Sequence, residues 1–265
     1  MNIFWREMRA NRKSLLFWSI GVFLMVVSGM SKYAGLSSSG QSMSGMMSEM
    51  PKSLQAILGI GNLDLDKASG YYGILYLYLL LMATIHAAML GANILSKEER
   101  DKTSEFLFVK PVSRNNIITA KLLAAFVNIV IINVVTLVSS IIIVGQYSKG
   151  EAVAGDITMT MLGMFIVQLL FMGIGTALAA VKKKPNSAAS LATGILLLTF
   201  VLSMAIDLND KLASLKYMTP FKYFEAKNVM YGGGLDVVFV VLSVAMIAVL
   251  FLVTYTFFRT RDLNV

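Results

Sequence analysis

Six apolar runs, each about 19 to 28 residues long, dominate the sequence: Leu15–Tyr33, Tyr71–Leu95, Ile117–Val144, Thr158–Val181, Ala188–Ile206 and Val237–Phe258. Each is long enough to cross a hydrocarbon core of ~30 Å as a helix with some tilt. Only "KKKPN" separates the fourth run from the fifth. Three lysines cannot sit in hydrocarbon, and Pro185 disfavours a continuous helix, so two spans joined by a tight turn are expected. The chain reads as an all-α integral membrane protein, a bundle of six helices forming one domain over residues 1–265.

Composition agrees: 57% of the 265 residues are hydrophobic and 14% are charged, with a mean hydropathy of +0.71. Soluble domains carry roughly a quarter of their residues as charges. Cysteine is absent and His86 is the single histidine, which excludes disulfides, thiolate metal sites and paired-histidine zinc motifs. No metal site is expected. No GxxxxGK[ST] stretch occurs, so any ATP that drives this protein binds another polypeptide.

Charge sets the expected orientation. With the N-terminus inside, 15 of the 23 basic residues fall on inner segments. The positive-inside rule then places both termini, the segment around Lys97–Arg114 and the Lys182–Lys184 triplet in the cytoplasm. The net charge of +8 reads as a topology signal and a contact with anionic lipid, not as a nucleic-acid footprint. The opening "MNIFWREMRANRK" puts Ile3, Phe4 and Met8 near one side and Arg6, Arg9 and Lys13 largely elsewhere. It is either a helix in the inner interface with Trp5 at headgroup depth, or a basic flank that obeys the topology rule.

Two segments on the other side carry structure. Ala34–Gly70 is rich in Ser, Gly and Met, and its "SLQAILGI" piece suits a short surface helix. In Asp207–Asp236, aromatic residues from Tyr217 to Tyr231 interleave with Lys216, Lys222 and Lys227, which suits an interfacial or re-entrant helix.

Polar residues inside the spans are few. His86 lies near the middle of the second run, with Asn93 two turns on; Asn128, Asn133 and Gln168 lie in the third and fourth. They either hydrogen-bond between helices or line a polar substrate path with a titrating His86. Ala83, Ala87 and Gly91 repeat at i+4, as do Gly173 and Ala177, a spacing that lets backbones approach closely within a bundle or between copies. No span has an acidic residue at its centre, which argues against an ion-coupled carrier. With one histidine and no cysteine, a membrane-embedded enzyme lacks a catalytic pair, and no catalytic residue is assigned.

"SKEERDKTSEFLFVKPVSRNN", Ser96–Asn116, interrupts the apolar pattern. Its charges alternate in sign, Phe106–Val109 is too short to span, and Lys110–Pro111 ends any helix before Ser113 caps the next. A short helix with an apolar end, tethered between two spans, is expected to dock against a partner.

Three stretches together, "FWREMRANRKSLLFW", "KEERDKTSEFLFVKPVSR" and "MTPFKYFEAKNVM", resemble the ABC-2 type ABC transporter permeases, and the likeness covers the whole six-span layout. It implies the fold of a type V exporter: an N-terminal interfacial connector helix, a cytoplasmic coupling helix within 96–116 and a re-entrant extracellular element before the sixth span. It implies a non-catalytic membrane subunit that pairs with a second permease copy or paralogue. Two copies of a separate ABC ATPase subunit would dock beneath, holding the ATP and Mg that this chain does not bind. Glu98, Glu99, Arg100, Thr103, Glu105 and Phe106 fall on the coupling motif. The implied activity is ATP-driven export of an amphipathic substrate (a peptide, antibiotic or lipid-like molecule) across the cytoplasmic membrane of a bacterium. An ATP-independent channel or secondary transporter built around His86 is the alternative.

In the cysteine-free background, single cysteines at positions 39 and 216 should react with an impermeant maleimide in intact cells, and one at position 183 should not. Strong labelling at 183 would overturn the six-span topology.

Overall fold

The computed structural model describes residues 3–38, 42–60, 63–102, 113–182 and 185–260. Hydrocarbon offers no hydrogen-bond partners, so each spanning segment must satisfy its own backbone, and helices do this within one segment. Six long helices result: α1 (Ile3–Ser38), α4 (Ala68–Arg100), α5 (Arg114–Tyr147), α6 (Ala154–Val181), α7 (Pro185–Leu208) and α9 (Val237–Thr260). All six are long and apolar enough to cross a membrane. Short helices α2 (Met43–Ser48), α3 (Lys52–Leu58) and α8 (Ala226–Tyr231) and two 3-10 segments (Asp210–Met218, Pro220–Lys222) lie in the connections. The helices alternate in direction. One end, here called basal, gathers the start of α1, the end of α4, the start of α5 and the end of α9. There the Arg114 guanidinium donates to the Arg259 carbonyl at 3.1 Å.

α4 and α6 are the most enclosed of the long helices, and α1 and α9 the least. In lipid, apolar burial does little to drive helices together, so close packing of small residues must do it. The α4–α6 crossing shows this directly. A Cβ on Gly91 would lie 2.4 Å from the Met172 carbonyl oxygen, and one on Gly175 would lie 2.4 Å from the Ala88 carbonyl oxygen. The stripe Ala83, Ala87, Gly91 is buried, and Gly91 lies at this contact inside the bundle. Gly175 is its counterpart on α6. Gly173, which the i+4 pattern singled out, instead faces Leu250 of α9 at 3.2 Å. α6 and α9 are also joined by the Thr176 and Thr254 hydroxyls, 3.1 Å apart. The outward faces of α1 and α9 carry exposed Phe17, Leu24, Val241 and Leu252, as expected for side chains that meet lipid tails.

At the distal end the connections fold back onto the bundle. The Tyr33 hydroxyl donates to the Asp66 carbonyl at 3.0 Å, and the Asp66 carboxylate accepts from the Met43 amide at 2.7 Å and the Ser42 hydroxyl at 3.0 Å. Desolvation works against that charge, but these hydrogen bonds hold the Asp66 carboxyl below the usual carboxylate range. The segment before α9 enters the bundle. Phe221 packs against Phe171 of α6 at 5.5 Å and Phe200 of α7 at 5.2 Å. Phe200 lies about 12 Å inside the end of α7 at 1.5 Å per residue. Thr219 donates to the Thr199 carbonyl at 2.8 Å, and Tyr223 stacks on Phe239 at 4.7 Å. The aromatic and lysine interleaving therefore forms a re-entrant element, with Phe221, Tyr223 and Phe224 inside and Tyr217, Tyr231, Lys216 and Lys227 nearer the surface.

Two expectations change. The N-terminal segment is helical, and it runs into the first span without a break. The helix through Ser96 belongs to α4 and ends at Arg100; Lys102 takes a left-handed φ of 53°, so no separate helix begins at Ser96. Residues 103–112 lie outside the described residues.

Replacing Gly91 or Gly175 with Ala should lower stability by about 1–3 kcal/mol, the cost of overpacking a close contact. Gly91→Leu should be worse. Gly194→Ala, with nothing within 4 Å of its Cβ, should be neutral or mildly stabilising through helix propensity. Thermal unfolding in detergent checks all four; equal melting of parent and Gly175→Ala would place this contact elsewhere.

Candidate transmission site

Full burial of Lys or Glu is rare unless the charge is paired. At the basal end this chain buries both: Glu7 and Lys121 are 0% exposed and Glu98 is 7% exposed. Glu7 comes from the second turn of α1, Glu98 from the last turn of α4, and Lys121 from two turns into α5. The bundle brings them together with Arg6 and Lys97.

The pairing is a closed ring. Lys121 Nζ donates to Glu98 Oε2 and to the Ile94 carbonyl, each at 2.5 Å, and lies 3.8 Å from Glu7 Oε1. The Arg6 guanidinium reaches Glu98 at 2.9 Å and Glu7 at 3.0 Å. Lys97 Nζ closes on the other oxygen of Glu7. Arg6, Glu98, Lys121 and Glu7 alternate in sign around the ring and Lys97 attaches to it at Glu7, so neither carboxylate lacks a cation and one positive charge is in excess. The cations at the rim, Arg6 and Lys97, keep 33% and 22% of their side chains exposed; Lys121 is the sealed member.

Sequence local to each residue explains its aim. Phe4 and Met8 of α1 pack against the core, and Glu7 lies between them on the same face, whereas Arg9, Arg12 and Lys13 point outward. Trp5 is 60% exposed, as an anchor at headgroup depth would be. Ser113 caps α5 by accepting from the Asn116 amide, which fixes the helical phase that buries Lys121.

Of the coupling-motif residues, Glu98 faces this ring, Glu99 is half-buried and Arg100 is exposed. Arg100 donates to Asp101 at 3.1 Å and Asn93 at 3.2 Å. Thr103, Glu105 and Phe106 lie outside the described residues. The polar residues of the spans occupy separate helix contacts. Asn133 donates to Gln168 at 2.8 Å between α5 and α6. Asn128 donates to the Ala124 carbonyl at 2.7 Å and to Met8 Sδ at 3.3 Å, facing α1. His86 lies against Trp18 of α1, ring centroids 5.3 Å apart. Of His86, Asn93, Asn128, Asn133 and Gln168, Asn133 and Gln168 are the two that hydrogen-bond to each other.

Sequence reasoning missed Glu7 and Lys121, counting Lys121 only as a topology charge. A signal was present: Lys121 stands inside the apolar run "IITAKLLAAFV" and needed a carboxylate, and Glu7 is the lone acid of the N-terminal basic segment.

The ring ties the starts of α1 and α5 to Glu98 in the last turn of α4. Displacing Glu98 must drag Arg6 and Lys121 or strand buried charge. Lys121→Met should destabilise by about 3–5 kcal/mol, because Glu7 and Glu98 lose their shared buried cation. Lys121→Met with Glu98→Met should recover part of that loss, since an apolar pair can replace a buried ion pair. Thermal unfolding of these two and of Glu98→Met alone gives the coupling; additive losses would show that the two residues act independently.

The profile of the ABC-2 family transporter proteins matches residues 1–263, nearly the entire chain. No curated protein matches it significantly. The chain belongs to the ABC-2 family of transporter proteins, whose members of this kind are the membrane-spanning permease subunits of ABC transporters.

Proposed function

We propose that this permease exports an amphipathic substrate when a separate ATPase subunit, carrying ATP and Mg, hydrolyses nucleotide beneath its basal end. The basic-residue bias favours a cytoplasmic basal end in a bacterial cytoplasmic membrane. Two permeases, identical or paralogous, would pair over two ATPases. One observation carries the coupling: the buried ring joins α1, α4 and α5 immediately before the segment expected to dock. A push on the segment after Arg100 would reach Glu98 first, and through it the starts of α1 and α5. The channel alternative draws less support, because His86, Asn93, Asn128 and the Asn133–Gln168 pair occupy different helix contacts.

Docking and transmission should separate by mutation. Phe106→Ala should weaken ATPase retention by about 2 kcal/mol, roughly thirty-fold, while Lys102→Ala weakens it little. Glu98→Gln should keep the ATPase bound yet lose substrate-stimulated turnover, because the amide no longer carries the charge that Lys121 and Arg6 follow. Pull-down of the ATPase, with ATP turnover in liposomes, reads both. A Glu98→Gln permease that couples like the parent would overturn the transmission role.

A further inference from the structure

At the distal end a cavity of about 350 Å³ lies between α3, the first turns of α4, the last turns of α7 and the re-entrant element. Its polarity is graded. Leu80 and Phe221, 1% and 2% exposed, line its closed side together with Leu77 and Met204. Exposed Lys52 and partly exposed Asp207, Glu225 and Lys227 line its mouth. Pockets of about this volume hold small ligands with an apolar body and a few placed polar groups.

The four charged groups that line the mouth balance, and Lys222, buried behind the two carboxylates, leaves one positive charge in excess. Lys222 pairs with Asp207 at 2.5 Å and also with Glu225. Lys227 pairs with Glu225 at 3.3 Å and lies 3.7 Å from Asp207. Two carboxylates and two ammonium groups neutralise one another and pin the re-entrant element to α7. Lys52 makes no ion pair among the described residues and is left as the uncompensated charge.

We propose that this cavity binds a single-chain amphiphile with a carboxylate head. The chain lies along Leu77, Leu80, Met204 and Phe221, and the head lies at the mouth beside Lys52. The inference deepens the export reading, giving its amphipathic substrate class a site at the end that the proposed orientation puts outside. It is tested on the permease alone, without ATPase or nucleotide, so failure here is distinct from failure of coupled export.

The probe is dodecanoate bearing a diazirine near its tail, with the matching dodecanol as a neutral control, added to the permease in phosphatidylcholine nanodiscs. Photolabelling mapped by mass spectrometry should fall on Leu77, Leu80 or Met204 and should be competed by unlabelled dodecanoate. Lys52→Glu should cut carboxylate labelling about fivefold, in keeping with one exposed charge pair, and leave the alcohol unchanged. Ala56→Trp, narrowing the cavity, should reduce both. Label confined to lipid-facing residues such as Leu198 and Val201 would overturn the site. Equal loss of both probes in Lys52→Glu would overturn the assignment of an anionic head.

Discussion

Both ends of this protein hang on the backbone contact between α4 and α6. Gly91 and Gly175 let the two helices touch without intervening side chains, and in a solvent of lipid tails such contact replaces the apolar driving force that a soluble core would have. From that axis α4 extends basally to Glu98, one of the two carboxylates of the buried charge ring. α6 supplies Phe171 and Gly163, against which the re-entrant Phe221 and Phe224 pack distally. The axis thus positions the transmission site and the distal cavity from one rigid pair.

The two charge clusters obey different rules because their surroundings differ. Around Lys121 the charges are sealed, so their mutual attraction must offset a large desolvation cost, and such a ring is better explained by positioning than by net stability. Around Asp207 and Lys227 the side chains remain partly wet, so each pair contributes less and can rearrange more easily. A sealed basal cluster and a partly wet distal one suit the proposed drive from one end and change of shape at the other.

Hydropathy and punctuation made much of the fold legible. The six apolar runs, the break at the lysine triplet and Pro185, and the aromatic and lysine mixture before the last helix each reflect a local cost in hydrocarbon, which neighbouring residues alone decide. The charged interruption between the second and third runs was also readable, and α4 ends within it at Arg100. Less legible was which small residue faces which helix: Gly173 and Ala177 share the right spacing, yet Gly175 makes the crossing with α4. Spacing defines a face of a helix but not the partner that the face meets.

The sequence by itself determined that this chain carries six apolar runs long enough to cross a membrane as helices and that it has no GxxxxGK[ST] stretch. Each follows from local chemistry: hydrocarbon rejects charge and unpaired backbone, and a phosphate loop needs its own motif. Only the tertiary structure decided that Glu98 turns inward, that Glu7 and Lys121 join it, and that Lys52, without an ion pair among the described residues, lines a cavity with both apolar and polar walls. Those facts depend on helix phase and on contacts between residues far apart in the chain. A buried charge is set by the partners that packing brings to it, and no stretch of sequence carries that alone.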